Sequence, residues 1–228
     1  MSLTQYFAIV RHGDYYQIPD TPSANQPYSL TPEGEKQAEV CAGYIQTFCR
    51  DKMIDPVLPI HTSSSLRAWQ TADILCRQLG SPLSLVETNS LTERSVGSLA
   101  NLTIAEIERV ISADPRFENP PRNWKSDSRY CLPYPGAESL MQAGQRVADY
   151  ISDTFNQHDS ANRLHIFVGH GAAFRHAAFH LGILSIPEVA QRSMYHAKPI
   201  FFSRKPGETW QHVAGEWKFR TIFNADLD

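Results

Sequence analysis

Short apolar runs and longer stretches with helical spacing take turns along this chain. Tyr6 to Val10 is a short run rich in strand formers that leads directly into Arg11-His12-Gly13, which reads as a buried strand ending in a loop. A polar, Pro-containing stretch from Asp14 to Ser29 follows. Thr31-Pro32-Glu33-Gly34 then marks a helix start, with Thr31 as N-cap, Pro32 at the first helical position and Glu33 in the first turn, and the helix is expected to reach about Cys49. Val57 to His61 predicts a second strand, and the hydroxyls of Thr62-Ser63-Ser64-Ser65 predict caps for a helix through about Leu79. Leu83 to Val86 gives a third strand, Thr103 to Ile111 a short helix, and Ala137 to Phe155 a longer amphipathic one. Arg163 to Val168 is the most strongly apolar strand. It ends at Gly169-His170-Gly171 and precedes a helix from Ala172 to about Leu181. Two alternating segments around Pro206-Gly207, within residues 198–223, predict a hairpin at a sheet edge.

Strands alternating with helices of this length argue for an α/β fold, a three-layer α/β/α sandwich with a mainly parallel central sheet. The 228 residues suit one domain, residues 1–228. Residues 113–135, rich in Pro, Arg and aromatics and without periodicity, are expected to form an irregular insertion or lid. In such sheets ligands bind beyond the carboxyl ends of the strands, where Arg11, His12 and His170 fall.

Composition narrows the function. With 42% hydrophobic and 20% charged residues the chain can bury a full core, which excludes wholesale disorder. Its 21 Lys+Arg against 24 Asp+Glu give a net charge of −3, without the broad positive field of a nucleic-acid binder, so anion recognition must be local. No apolar run approaches the roughly 18 residues of a membrane span, and Met1 to Val10 does not resemble a leader, so no membrane partner and a cytoplasmic location are expected. Cys41, Cys49, Cys76 and Cys131 have no metal-ligand spacing and read as buried thiols.

His12 and His170 each follow a predicted strand and each precede a glycine, Gly13 and Gly171, which lets backbone approach a ligand closely. Arg11, Arg67 and Arg175 would bring three guanidinium groups to the same edge. Three arginines and two histidines without a metal-ligand pattern describe a phosphoryl pocket, in which a neutral imidazole can attack phosphorus and the cations stabilise the charge on its oxygens. The plainer alternatives are satisfied histidines, solvated carboxylates at Glu93 and Glu138, and serines 63 to 65 as caps. His176 and His180 are spaced for a metal, but Ala177 stands where a metalloprotease needs Glu, and neither metal nor cofactor is expected.

In their order these segments resemble the histidine phosphatase superfamily, which includes the cofactor-dependent phosphoglycerate mutases. Ile9-Val10-Arg11-His12-Gly13 resembles the nucleophile motif; Leu30-Thr31-Pro32-Glu33-Gly34 with Gln37-Ala38 the second block; and Thr62-Ser63-Ser64-Ser65-Leu66-Arg67-Ala68 with Gln70-Thr71-Ala72 the third. Leu91-Thr92-Glu93-Arg94, Pro135-Gly136-Ala137-Glu138-Ser139-Leu140 and Val168-Gly169-His170-Gly171 with Arg175 are similar to the remaining blocks. The resemblance implies a phosphoglycerate mutase-like fold, phosphorylation of His12, phosphoryl contacts from Arg11, Arg67 and His170, and Glu93 as the proton donor to the leaving oxygen. It implies an Asn six residues after the nucleophile; here Ile18 stands there, with Gln17 adjacent as the substitute.

The mutases of that family carry a Tyr three residues after the acid, a Lys eleven after it, and an Arg-Arg pair further along. This chain has Val96, Ile104 and Pro120-Pro121-Arg122. The expectation is therefore a phosphatase acting on a phosphorylated small molecule or a phosphoprotein. A mutase-type transfer and a non-catalytic phosphate-binding module are the alternatives. Tyr15, Tyr16 and residues 116–130 are expected to border the pocket, with Arg122, Lys125 and Arg129 meeting a second anion and Trp124 and Tyr130 offering stacking surface. The oligomeric state is not set by the sequence.

Overall fold

The computed structural model describes residues 3–81, 84–157 and 161–220. Its central sheet has the order β4-β3-β5-β1-β7-β8, formed by β4 (Leu85–Thr88), β3 (Ile60–Ser63), β5 (Arg163–Gly169), β1 (Gln5–Arg11), β7 (Ile200–Arg204) and β8 (Gln211–Ala214). The short β2 (Asp55–Pro56) pairs with the start of β5. The β4-β3-β5-β1 half is parallel, and β7 and β8 join antiparallel at the β1 edge.

Alternation along the two central strands divides the core. From β1, Phe7 and Ile9 face one cluster with Phe167, while Ala8 and Val10 face another with Leu164, Ile166 and Val168. Helices α1 (Pro32–Lys52) and α2 (Leu66–Gln78) cover the second face, supplying Ile45, Phe48, Leu75 and Cys76. Helices α4 (Leu140–Gln157) and α5 (Gly171–His180) cover the first with Val147, Ile151, Ala173 and Phe174. Both faces of β1 and β5 are thus buried, which is why these strands read as continuous apolar runs. The expected three-layer architecture is present. A third cluster lies apart from the sheet, where α3 (Ile104–Ala113) packs Ile107 and Ile111 against Val96, Leu99, Trp124 and Leu132.

Thr31 caps α1 as expected, its Oγ1 accepting from Gly34 N at 3.0 Å, but the helix runs past Cys49 to Lys52 and closes on Met53 in the left-handed region. The second strand begins at Ile60, because the segment from Val57 to Pro59 precedes it as irregular backbone. Thr62 and Ser63 belong to that strand and only Ser65 stands at the N-cap of α2, without a side-chain capping bond. The third strand is Leu85–Thr88; its expected first residue, Leu83, lies outside the described residues, as do residues 221–223 of the expected hairpin. Helix α6 (Ile186–Gln191) and the small ladder of β6 (Arg192–Ser193) with β9 (Lys218–Phe219) are additional elements, too short to give a periodic signal. Cys41, Cys49 and Cys76 are buried and burial raises their thiol pKa, to about 11 for the latter two; Cys131 is only half-buried, contrary to expectation. Among the described residues no helix is long and apolar enough to cross a membrane.

Candidate active site

Strands β1 and β5 are neighbours in parallel register, with Arg11 opposite Gly169, so their carboxyl ends deliver His12 and His170 side by side. The two rings lie 5.1 Å apart between centroids. Both are buried, at 3% and 1% exposure.

The neighbours of His12 leave it one tautomer. Its Nδ1 lies 2.8 Å from the Gly13 carbonyl, which can only accept, so Nδ1 carries the hydrogen. Its Nε2 lies 3.1 Å from Arg67 Nε, which can only donate, so Nε2 presents a lone pair. Burial above all, then the proximity of His170, Arg67 and Arg11, holds its pKa well below the usual histidine range. The result is a neutral imidazole with an unprotonated Nε2 surrounded by positive charge.

Arg67 is itself completely buried at the start of α2. Besides His12 it donates to the Ser23 and Gln26 carbonyls, each at 2.9 Å, and to His170 Nδ1 at 3.3 Å. Its guanidinium also stacks over the Tyr15 ring at 4.6 Å. The segment between Asp14 and Ser29 is thereby clamped over the site, and Gln26 fixes its shape through bonds to Ile18 and Thr21. With Nδ1 accepting from Arg67, His170 donates from Nε2 to Ser63 Oγ at 3.0 Å, with Ser65 Oγ at 3.3 Å. Two of the serines expected as caps instead orient the second histidine, and Ser64 donates to Asn89 Oδ1. Burial, followed by Arg67 and Arg11, also lowers the His170 pKa well below its ordinary value.

Glu93 reaches across to the N-terminus of α5. Its Oε2 accepts from Ala172 N at 3.2 Å and its Oε1 from Ala173 N at 3.0 Å, so it caps a helix remote in sequence. It is not a solvated loop carboxylate. Glu138 is not one either, since it pairs with Arg146 and accepts from Ser95 N.

A small chamber is lined by Arg11, His12, Tyr15, Gln17, Ser23, Glu93, Gly171 and Ala172. His170 and Arg67 stand behind His12, in contact with it and with each other. Gly171 lies against the Arg11 side chain, where an added Cβ would meet Cδ at 3.2 Å. Gly13 also serves the packing of its loop: a Cβ there would come within 2.4 Å of the Gly34 carbonyl, so its absence permits close approach to α1. Arg175 is outside the chamber; it donates to the Arg192 carbonyl and lines an adjoining pocket.

Of the expected specificity residues, Tyr15, Lys125 and Ser126 border these cavities. Tyr16, Arg122 and Arg129 are exposed and line neither. Trp124 offers no stacking surface: it is buried to 1% in the third cluster, its Nε1 donating to Glu108, and Tyr130 packs against the same cluster. His176 and His180 are held by backbone and Ser128, His176 between Ala172 O and Ser128 Oγ and His180 on Met141 O.

Sequence reasoning missed His196. Its Nδ1 donates to the His12 carbonyl at 2.9 Å, its ring lies 5.5 Å from that of His12, and burial lowers its pKa to about 4. The neighbouring Met194 carbonyl accepts from Arg11 Nη1. Nothing in the local pattern around residues 192–197 announces this role, because it arises from long-range packing. Thr71 belongs to the third block of the resemblance, and its Oγ1 accepts from Gly13 N while Gln70 and Gln37 hold Leu30 and Asp14.

The sequence model of the histidine phosphatase superfamily (branch 1) matches residues 7–213. The chain belongs to the histidine phosphatase superfamily. Among curated proteins it is similar to a 2,3-bisphosphoglycerate-dependent phosphoglycerate mutase of Cytophaga hutchinsonii, 27% identical over 195 residues that cover 85% of each chain. The enzyme of the same name from Tropheryma whipplei is 26% identical over 193 residues, covering 80% of this chain and 85% of that one. Among solved structures, a mycobacterial glucosyl-3-phosphoglycerate phosphatase superposes with a TM-score of 0.67 at 19% identity, covering 95% of this chain and 97% of the other. A phosphoserine phosphatase of Entamoeba histolytica, in complex with 3-phosphoglyceric acid, gives 0.63 at 16% identity, over 95% and 97% of the two chains. These structures show the fold, and the relatives of this histidine phosphatase superfamily member include both phosphatases and mutases.

Proposed function

We propose that the protein is a phosphatase that hydrolyses a phosphomonoester through a phosphohistidine at His12. The observation that carries the reading is the fixed tautomer of His12, whose Nε2 lone pair is held by Arg67 beside a chamber lined by Arg11 and Glu93. In the first step Nε2 gives up its hydrogen bond from Arg67 Nε and its lone pair bonds to phosphorus as the bond to the leaving oxygen breaks, and Glu93 gives that oxygen a proton. Arg11, Arg67 and His170 stabilise the charge on the phosphoryl oxygens, with Gln17 as a further donor. In the second step water attacks phosphorus, Glu93 takes its proton, and the N–P bond breaks to release inorganic phosphate. Each step needs groups of this chain alone.

Hydrolysis is favoured over mutase-type transfer by the surroundings of Glu93. Val96 is 1% exposed in the third cluster, and Ile104 packs against it. Val96, at one position that supplies a polar donor in the mutases, is therefore a core residue where a donor would be buried without a partner, and half-buried Ile104 leaves the second position without a donor. Without such donors to hold a substrate in two orientations, the phosphoenzyme is open to water. The mutase names of the curated relatives favour the second reading. Incubation with 3-phosphoglycerate and catalytic 2,3-bisphosphoglycerate, beside p-nitrophenyl phosphate, separates them. Phosphate release from the second substrate with slow isomerisation of the first is expected; rapid isomerisation without phosphate release would overturn the assignment.

A further inference from the structure

Besides β5, a second segment holds the carboxyl end of β1. Strand β7 pairs with β1 only as far as Ile200 opposite Ile9, yet residues 194–197, which precede β7, continue along Arg11 and His12. The Met194 carbonyl accepts from Arg11 Nη1 at 3.0 Å, Ala197 N donates to the Arg11 carbonyl at 2.9 Å, and His196 Nδ1 donates to the His12 carbonyl at 2.9 Å. Met194 and Ala197 are buried. Ala197 stands at φ +45°, a left-handed conformation that a residue with a Cβ keeps only where its surroundings impose it.

The bond from His196 matters because of the peptide it reaches. The His12 carbonyl and the Gly13 N–H belong to one planar unit, and Gly13 N donates to Thr71 Oγ1 at 3.0 Å. One plane is therefore held at both ends, by His196 on its oxygen and by Thr71 on its nitrogen. Gly13, lacking a Cβ, restricts its own dihedrals little, so the hold on its peptide fixes the direction of the next carbonyl. That carbonyl, Gly13 O, is the acceptor for His12 Nδ1 at 2.8 Å, the bond that leaves Nε2 its lone pair. Burial above all, then Arg11, keeps His196 uncharged at neutral pH, so it holds the peptide without adding a cation beside the nucleophile.

Resting on the phosphatase reading, we propose that His196 is a positioning residue for the nucleophile: by holding the His12–Gly13 peptide against Thr71 it keeps Gly13 O on His12 Nδ1 and so aims Nε2 at phosphorus. The residues that line the phosphoryl chamber do not include His196. Its loss should therefore slow the attack and leave phosphate binding alone, since a reacting atom misplaced by about 1 Å costs on the order of 10²-fold in rate.

His196→Leu and His196→Asn in the full-length protein have nearly the same shape, and only the amide can donate where Nδ1 stood. The leucine variant should lose about 10–10² in kcat/KM toward p-nitrophenyl phosphate and the asparagine variant no more than about threefold, with the inhibition constant of inorganic phosphate within about threefold of wild type in both. Thr71→Val frees the other end of the same peptide, so combining it with His196→Leu should cost at least about threefold less than the product of the two single losses. Should the leucine variant not fold, His196→Gln, whose amide overlies Nε2 and not Nδ1, takes its place with the same expectations. In protein carrying ¹⁵N-labelled histidine, the His12 Nδ1 proton should exchange with water at least about tenfold faster in the leucine or glutamine variant than in wild type or His196→Asn. Full activity without the donor, an asparagine variant as slow as the leucine one, single losses that multiply, or unchanged proton exchange would overturn the proposal. The exchange measurement needs no turnover, so a wild type that fails to hydrolyse p-nitrophenyl phosphate counts against the phosphatase reading while the role of His196 is still decided.

Discussion

Arg67→Lys keeps the charge and removes the geometry. The guanidinium donates to Ser23 O and Gln26 O at 2.9 Å, to His12 Nε2 at 3.1 Å and to His170 Nδ1 at 3.3 Å, from a fully buried position. A lysine has three hydrogens on one nitrogen and cannot span two rings and two carbonyls that approach from different sides. At least two buried acceptors are stranded, at about 1–3 kcal/mol each, so the variant should lose about 2–6 kcal/mol of a total near 5–15. In urea, with a slope of about 2 kcal/mol per molar, that is a fall in midpoint of roughly 1–3 M. Because Nε also holds the nucleophile and Nη2 its neighbour His170, kcat/KM toward p-nitrophenyl phosphate should fall by about 10²–10³. Proteolytic cleavage should rise within residues 16–29, the segment that Arg67 clamps. A variant with an unchanged midpoint and activity within tenfold of wild type would refute this account of Arg67.

Three further outcomes follow from the same geometry. Glu93→Gln should cut turnover of an alkyl phosphate by about 10²–10⁴ and that of p-nitrophenyl phosphate at least tenfold less, since a good leaving group needs no proton; equal losses would leave Glu93 only its contact with α5. Acid should destabilise the fold, because the unfolded chain takes up protons as pH falls through about 6.5 whereas His196 and His176 resist until about 4 and 3. The stability they contribute is present above pH 6.5 and lost below it, about 2 kcal/mol for buried His176 by pH 5, so urea midpoints must drop between pH 7 and 5 and drop less in His176→Asn; a midpoint that rises contradicts the assignment. Gly13→Ala places a Cβ 2.4 Å from the Gly34 carbonyl and should lower Tm by at least about 2 °C together with activity, as the displaced Gly13 carbonyl releases His12 Nδ1; an unchanged melt would show that the loop yields freely.

What could be read from the chain was whatever depends on local pattern. The apolar runs of β1 and β5 and the polar residues at their ends put His12 and His170 at the correct edge, since strands buried on both faces leave a continuous signal. Thr31-Pro32 marked α1 because a cap is a local hydrogen bond. The serines after β3 misled for the complementary reason: a hydroxyl that satisfies a cap also satisfies a histidine 105 or 107 positions away, and only packing decides. His196, the bond from Glu93 to α5, and the burial of Trp124 are likewise products of long-range contacts with no periodic trace.

The central claim is that His12 Nε2 takes the phosphoryl group from the substrate. Rapid-quench of full-length protein with a ³²P-labelled phosphomonoester, followed by peptide mapping, tests it directly. The account predicts acid-labile, base-stable label on the peptide that contains His12, formed and lost at rates that support steady-state turnover, and neither label nor turnover in His12→Ala. Steady turnover by His12→Ala, or label that maps to another residue, would contradict it.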